Sequence, residues 1–500
     1  MRTSSLAFRA VLAVGLMIGF YLLAVAISGG LLYIPYAEFV YAHRITPKLA
    51  LVCIIGGLAI LWSVLPRIDK FIAPGPRVTP EKAPRLFKEI QSVAGAVGQG
   101  MPAEVYLVPD VNAWVAQRGG IMGFGSHRVM GLGLPLMRTL TRPQFRAVLA
   151  HEFGHYHGGD TKLGPWIYKT RGAIGRTLDS LGDSSWLQKP FLWYGKFFLR
   201  ITHAISRQQE FVADELAARK MGSRHLIDGL RNVSGTGLAF SAYWRNECVP
   251  VFEAGYLPPL AEGFNRFVQA GPIAETISRT VAEELKSGKV DPYDTHPPLR
   301  ERIAAVEQLP PGDTGEDAPA LSLLDDVTGW EKQMMLAVAG QETAGKLSPI
   351  GWDDVCPRVF QPMWKKLAEA NSKALEKITP ESLPGLAADL ENLGGKFVFP
   401  SGDRPGPGQT EALAVTVIGA ALMMALIVRG GIADAAPGEN PTVKMGTITL
   451  EPFSILGSLA KGKLRVEEWQ EQIVKAGITG LSLGAAGAGQ QDDSRYLPKE

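Results

Sequence analysis

The chain has 500 residues and a formal net charge of +2 at pH 7. This length exceeds one typical domain and predicts two or three folded units. The near-neutral charge, with no basic face interleaved with aromatic side chains, argues against a nucleic-acid-binding protein. The three cysteines lie far apart, which indicates neither a disulfide framework nor a cysteine zinc site and fits a reducing compartment.

Two apolar runs near the N-terminus predict a membrane anchor. Residues 10–37 carry no charged side chain and, at about 1.5 Å per residue, are long enough to cross a hydrocarbon core of about 30 Å. Residues 49–66 form a second uncharged run. A cleaved signal peptide is the alternative for the first run, but that run is too long and the second follows directly. The flanking basic residues favour both ends of this anchor in the cytoplasm.

The segment His151-Glu152-Phe153-Gly154-His155 is the most specific signal for chemistry. Residues four apart share one helix face, so His151 and His155 are placed to bind one metal ion, with Glu152 beside the water that the metal activates. The upstream Thr141-Arg142-Pro143-Gln144 predicts that this helix begins with a capping box. A surface helix with two solvated histidines is the alternative.

A tetrahedral catalytic zinc needs a third protein ligand and one open position. Glu210 and Asp214 lie one turn apart in a long helical pattern that ends near Gly222. Glu210 is therefore predicted to bind the zinc, and Asp214 to accept the free N–H of a liganding histidine. An ordinary charged helix face is the alternative interpretation.

Four segments follow one another along the chain: Pro109-Asp110-Val111-Asn112-Ala113-Trp114, His151-Glu152-Phe153-Gly154-His155, the pair Glu210 and Asp214, and Thr295-His296-Pro297-Pro298-Leu299-Arg300. Together, and in this order, they resemble the motifs of the zinc metallopeptidase family of the heat-shock protease HtpX and the CAAX prenyl protease. The resemblance covers about residues 70–310.

The resemblance implies an endopeptidase of the gluzincin type, with Glu152 as the general base. It also implies that Asn112 and Ala113 lie on the edge strand that holds the substrate backbone. His296 is expected to approach the site and steady the oxyanion, although a structural cap before two prolines is an equal alternative. In HtpX-like chains further membrane helices lie between the two zinc motifs, whereas Lys162 to Arg207 is too charged here for that.

A third apolar run extends from Ala412 to Val428 and is slightly short for a membrane span. It is followed by an alternating segment from Thr442 to Leu450 and a helix-like segment from Val466 to Ala476, so a buried core helix is predicted, with a third span as the alternative. The predicted fold class is α+β, mainly α. The predicted organisation is a two-helix membrane anchor (1–70), a zinc metallopeptidase domain with a small β-sheet (71–315), a helical region (316–405), a small C-terminal α/β domain (406–483) and a polar tail (484–500).

These observations predict a membrane-anchored zinc endopeptidase that cleaves membrane or membrane-adjacent proteins. One Zn²⁺ per chain is expected at His151, His155 and Glu210, and Glu152, Asp214 and His296 are the other catalytic candidates. Expected partners are protein or peptide substrates and the lipid bilayer, with no nucleic acid. The expected location is a multi-pass protein of the bacterial inner or plasma membrane, with a cytoplasmic catalytic domain. A processing protease for one precursor and an inactive zinc-holding scaffold are the alternatives.

Overall fold

The computed structural model describes residues 2–65, 71–119, 125–156, 164–182, 186–286, 296–313, 317–340, 346–406 and 408–484. The predicted polar tail at 484–500 lies outside these ranges apart from its first residue. The described part is mainly helical with small sheets, which confirms the predicted fold class.

The helices and strands are numbered in chain order. The helices are α1 Arg2–Ala42, α2 Pro47–Val64, α3 Pro84–Ala96, α4 Leu134–Thr139, α5 Arg142–Gly154, α6 Gly164–Leu181, α7 Gln188–Met221, α8 Ser223–Tyr243, α9 Val249–Glu253, α10 Leu260–Gln269, α11 Gly271–Lys286, α12 Leu299–Val306, α13 Val327–Ala339, α14 Trp352–Val355, α15 Gln361–Ala370, α16 Ser372–Leu375, α17 Leu383–Leu386, α18 Leu390–Gly394, α19 Thr410–Val428, α20 Pro452–Ala460 and α21 Val466–Ala476. The strands are β1 Arg77–Val78, β2 Glu104–Val108, β3 Ala113–Arg118, β4 His127–Gly133, β5 Tyr256–Leu257, β6 Ser348–Pro349, β7 Ile432–Asp434, β8 Thr442–Met445 and β9 Ile448–Leu450.

Three described helices are long and apolar enough to cross a membrane: Val11–Ala42 within α1, the whole of α2, and α19. In the first two, only 28% and 33% of the apolar window is buried, so most of each surface is left for lipid. In α19, 67% of the window is buried inside the protein. The two N-terminal apolar helices are therefore confirmed, and α19 differs from them in its surroundings.

Helix α6 and the first half of α7 pack against the two N-terminal helices. The ring of Phe191 meets that of Phe20 edge-on at 6.4 Å, and the hydroxyl of Tyr194 donates to the Leu16 carbonyl at 2.5 Å. The hydroxyls of Ser63 and Thr177 lie 2.8 Å apart. Neither α6 nor α7 is among the candidate spans. Helix α7 is unbroken from Gln188 to Met221, and it contacts the anchor with its first half and carries the predicted ligand Glu210 in its second half.

The described chain forms two compact units. The first comprises residues 1–238 and 278–338 and holds a four-stranded sheet in the order β1-β2-β4-β3. Strands β2 and β4 are parallel, whereas β3 pairs antiparallel with β4, with Ala113 opposite Leu132. Strand β3 is therefore an edge strand of the sheet as described, and none of the other described strands pairs with its outer side.

The second unit comprises residues 239–277 and 339–500. Its core surrounds α19, which packs against α15, α18 and α20. A small antiparallel sheet, β7-β8-β9, and helix α21 complete it, and the indole N–H of Trp469 donates to the Pro380 carbonyl at 2.8 Å. This grouping places residues 239–277 with the C-terminal half, whereas the sequence predicted them inside the peptidase domain; the domain boundaries stay a prediction.

Candidate metal centre and active site

Helix α5 begins as the sequence predicts. The backbone N–H of Thr141 donates to Gln144 Oε1 at 3.1 Å, and both halves of the capping box are present. The helix ends at Gly154, where a side chain would collide with α7, because a Cβ there would lie 2.9 Å from the Cα of Ala213. Glycine at this position therefore lets α5 and α7 approach closely.

This close approach brings the three predicted metal ligands together. One ligand atom from each of His151, His155 and Glu210 lies within 4.8 Å of the others. Nε2 of His151 is 3.5 Å from Glu210 Oε2, and Nε2 of His155 is 3.5 Å from Glu210 Oε1. The two imidazoles at the end of α5 therefore face the single carboxylate of Glu210 on α7.

Asp214 contacts His151 on the side of the ring that faces away from Glu210. Its Oδ1 lies 2.9 Å from Nδ1 of His151, which leaves Nε2 of that ring directed to Glu210. Asp214 is fully buried and forms a two-point hydrogen bond with Arg302, whose Nε and Nη2 lie 2.8 and 2.7 Å from the two carboxylate oxygens. Asp214 therefore lies between a histidine and a guanidinium, as a partner that orients the ring.

The surroundings of Glu210 and Asp214 keep these two carboxylates ionised. Burial alone would raise the pKa of Glu210, but hydrogen bonds from His151 and His296 hold it well below its usual range. Burial likewise opposes ionisation of Asp214, but the hydrogen bond from Arg302 lowers its pKa. The centre therefore offers anionic oxygen atoms to a cation.

The histidines and the adjacent glutamate respond differently to burial. Burial lowers the pKa of His155 to about 4, so this ring is neutral near pH 7. Burial also opposes protonation of His151, but its bonds to Asp214 and Glu210 raise its pKa to about 10, so a metal must displace a proton from this ring. Burial raises the pKa of Glu152 to about 7, a value suited to a group that accepts and returns a proton.

The remaining predicted residues lie around one cleft. Asn112 and Ala113 line it together with His151, Glu152 and His296. Ala113 is the first residue of the edge strand β3, and Asn112 precedes it. Nδ1 of His296 lies 3.1 Å from Glu210 Oε2, and its side chain is 59% exposed, so this ring is close to the centre and open to solvent. All eight predicted site residues are therefore close together.

Sequence reasoning missed two residues of this region. Arg302 lies on α12, two residues beyond the Thr295-to-Arg300 motif. The available signal was that a buried Asp214 needs a cationic partner. Tyr156 follows the second histidine, and its hydroxyl donates to the carbonyl of Val115 in β3 at 2.8 Å. No periodicity in the sequence points to that contact.

Two histidines and a glutamate around one point, a second glutamate beside them and a nearby edge strand are the features of a zinc metallopeptidase centre. Comparison with known proteins agrees. Residues 80–309 match the model of peptidase family M48, a family of zinc metallopeptidases, and the His151, His155 and Glu210 group lies within this stretch.

The relatives found are distant and carry the name Protease HtpX homolog. The protein of Chlorobium phaeobacteroides is 26% identical over 211 residues, which covers 38% of this chain and 58% of the relative. That of Gemmatimonas aurantiaca is 26% identical over 248 residues, covering 46% and 78%. That of Pyrococcus furiosus is 26% identical over 174 residues, covering 30% and 56%. This chain thus spans little more than half the length of two of these relatives, and no solved structure matches it significantly.

Proposed function

We propose that this chain is a membrane-anchored zinc endopeptidase that hydrolyses peptide bonds of membrane or membrane-adjacent proteins. The observation that carries the proposal is the convergence of His151 and His155 on Glu210, with Glu152 in the same cleft. A binding scaffold has no need of Glu152 as a base, so the intact glutamate favours catalysis over the scaffold alternative.

The donor set fits zinc. Two imidazole nitrogens and one carboxylate oxygen are ligands that a catalytic zinc prefers, and a fourth position stays open for water or substrate. Asp214 behind His151 matches the carboxylate that commonly orients a metal-bound histidine. His151, His155 and Glu210 would hold one zinc ion per chain, and that ion would supply the Lewis acidity needed to activate water and polarise the scissile carbonyl.

Proton transfer is assigned to Glu152. Its carboxylate takes a proton from the attacking water and returns it to the nitrogen of the leaving amine, so that one group acts as base and then as acid. His296 is half-exposed at the same cleft and donates a hydrogen bond to the developing oxyanion. Asp214 and Arg302 keep His151 oriented while the proton moves.

The substrate backbone is assigned to the edge of β3. A strand that adds to this edge beside Asn112 and Ala113 forms main-chain hydrogen bonds with little regard to its sequence. The scissile bond then lies over Glu152, because these residues line one cleft. Two N-terminal spans direct the enzyme to proteins in or near the membrane, and the basic residues around them favour a cytoplasmic catalytic domain.

The Glu152→Gln variant tests this function. The variant should keep its zinc, because none of the three ligands changes, and should lose proteolysis by about a hundredfold to ten-thousandfold. Zinc content by mass spectrometry and cleavage of an unfolded protein in detergent measure the two effects. Glu215→Gln, on the exposed side of α7, is the matched control and should leave both unchanged. Normal turnover by Glu152→Gln would refute the mechanism.

A further inference from the structure

The catalytic cleft has a volume of about 240 Å³ in all, and its aliphatic part is called the cavity below. This volume is below the roughly 300–1,000 Å³ of pockets for drug-sized ligands and suits a single side chain. Much of the wall is aliphatic, and three of its residues recur on one face of α8. The aliphatic residues of helices α4, α5 and α8 in this wall are Leu136, Val148, Leu226, Leu230 and Val233.

One carboxylate interrupts this apolar wall. Glu284 of α11 lines the cavity beside Ser234 of α8, and the Ser234 hydroxyl donates a hydrogen bond to Glu284 Oε2. Within the described ranges, no ion pair joins Glu284 to a lysine, arginine or histidine. The two basic residues of the lining, Arg302 and His296, contact Asp214 and Glu210 instead. The cavity therefore presents a negative charge to whatever enters it.

We propose that this cavity is a specificity subsite for a lysine or arginine side chain next to the scissile bond. The proposal rests on the proposed peptidase function. The aliphatic wall takes the methylene stem of such a side chain, and Glu284 pairs with its cationic end. A leucine would bury the Glu284 carboxylate without a charge partner, which costs free energy. An acidic side chain in the cavity would be repelled by the carboxylate of Glu284.

Cleavage of peptides by the zinc-loaded protein tests the subsite. Fluorogenic peptides that differ only in the residues flanking the cleaved bond carry lysine, leucine or glutamate there, and mass spectrometry locates the cut. The lysine peptide should be cleaved with a kcat/KM about tenfold or more above the leucine peptide, and the glutamate peptide least of all. Glu284→Gln should remove the advantage of lysine, and Glu284→Arg should transfer it to glutamate.

Glu283→Gln provides the matched control, because Glu283 is the exposed neighbour of Glu284 on the same helix. It should keep the lysine preference. Zinc content and circular dichroism identify any variant that fails to fold. If Glu284→Arg fails to fold, the more conservative Glu284→Gln tests the subsite by itself. A preference for leucine that Glu284→Gln leaves unaltered would overturn the subsite while leaving the peptidase function intact.

Binding separates failure of the subsite from failure of the proposed function. Fluorescein-labelled lysine and leucine peptides are titrated into Glu152→Gln and into the double variant with Glu284→Gln. If the wild-type protein cleaves neither peptide, tighter binding of the lysine peptide that depends on Glu284 still supports the subsite and counts against catalysis. Equal binding of both peptides by both variants would refute the subsite.

Discussion

At the scale of single residues, Arg302 neutralises the buried carboxylate of Asp214, which orients His151. Arg302→Lys keeps the charge but loses the two-point hydrogen bond to Asp214. Zinc affinity or activity should fall on the order of 10 to 100-fold, the usual effect of removing a partner behind a metal ligand. Zinc titration against a chelator of known affinity measures the first effect, and peptide cleavage measures the second.

Arg300→Lys is the control for this prediction. Arg300 lies on the same helix α12 and is exposed, so its replacement should alter neither zinc affinity nor activity. Asp214→Asn should weaken zinc binding in the same way as Arg302→Lys, since both variants release His151. Unchanged zinc affinity in both would reduce the pair to a structural ion pair without influence on the metal site.

The spacing of residues explains which parts of the centre could be predicted. His151 and His155 are four residues apart, and Glu210 and Asp214 are also four apart, so helix geometry alone places each pair on one face. Arg302 is 88 residues from Asp214, and no local pattern reports a contact over that separation. The packing of α5 on α7, permitted by Gly154, is what joins the two predicted pairs.

At the scale of elements, one hydrogen bond ties the zinc helix to the proposed substrate strand. Tyr156, just past the end of α5, donates to Val115 in β3, and the guanidinium of Arg128 lies over its ring at 4.3 Å. Tyr156→Phe removes the hydrogen bond to Val115 but keeps the aromatic ring under Arg128. We expect faster hydrogen exchange in residues 113–118 and a KM for peptides about twofold to tenfold higher, with kcat and zinc content unchanged.

A tyrosine elsewhere in the same sheet supplies the comparison for this variant. The hydroxyl of Tyr106 in β2 contacts Glu104 rather than the edge strand, so Tyr106→Phe should leave exchange in β3 and the KM unchanged. The tie would be dispensable if Tyr156→Phe showed wild-type exchange across residues 113–118. A fall in kcat with unchanged KM would instead place Tyr156 in the chemical step.

Helix bounds were easier to predict than sheet order. The predicted helix from Val466 to Ala476 has those bounds in the structure, because its amphipathic pattern and its glycine stop are local. The order β1-β2-β4-β3 depends on β4 passing between β2 and β3, which no pattern of alternation specifies. The assignment of residues 239–277 to the second unit depends on long-range packing for the same reason.

At the scale of the whole molecule, helix α7 connects the predicted membrane anchor to the candidate metal centre. Tyr194 contacts Leu16 of α1, and Glu210 lies further along the same unbroken helix, roughly 24 Å away by the rise per residue. The helix that contacts the anchor therefore also carries the third predicted metal ligand. This continuity is consistent with the proposed cleavage of proteins in or near the bilayer.

The topology follows from the same anchor. Each crossing reverses the side of the membrane, so a reporter fused after residue 80 should share the compartment of the N-terminus. From the flanking basic residues we expect that compartment to be the cytoplasm. Both N-terminal helices should resist carbonate extraction. A second reporter at residue 490 then distinguishes the two interpretations of α19.

If α19 is a core helix, reporters at residues 80 and 490 should lie in the same compartment. Its burial supports this outcome, because twice as large a share of its apolar window is buried as in either N-terminal helix: 67% against 28% and 33%. Its neighbours are also helices of its own unit. Reporters in opposite compartments would make α19 a third span and would separate the segment after it from the catalytic domain. A regulatory role for that segment at the zinc centre would then be excluded.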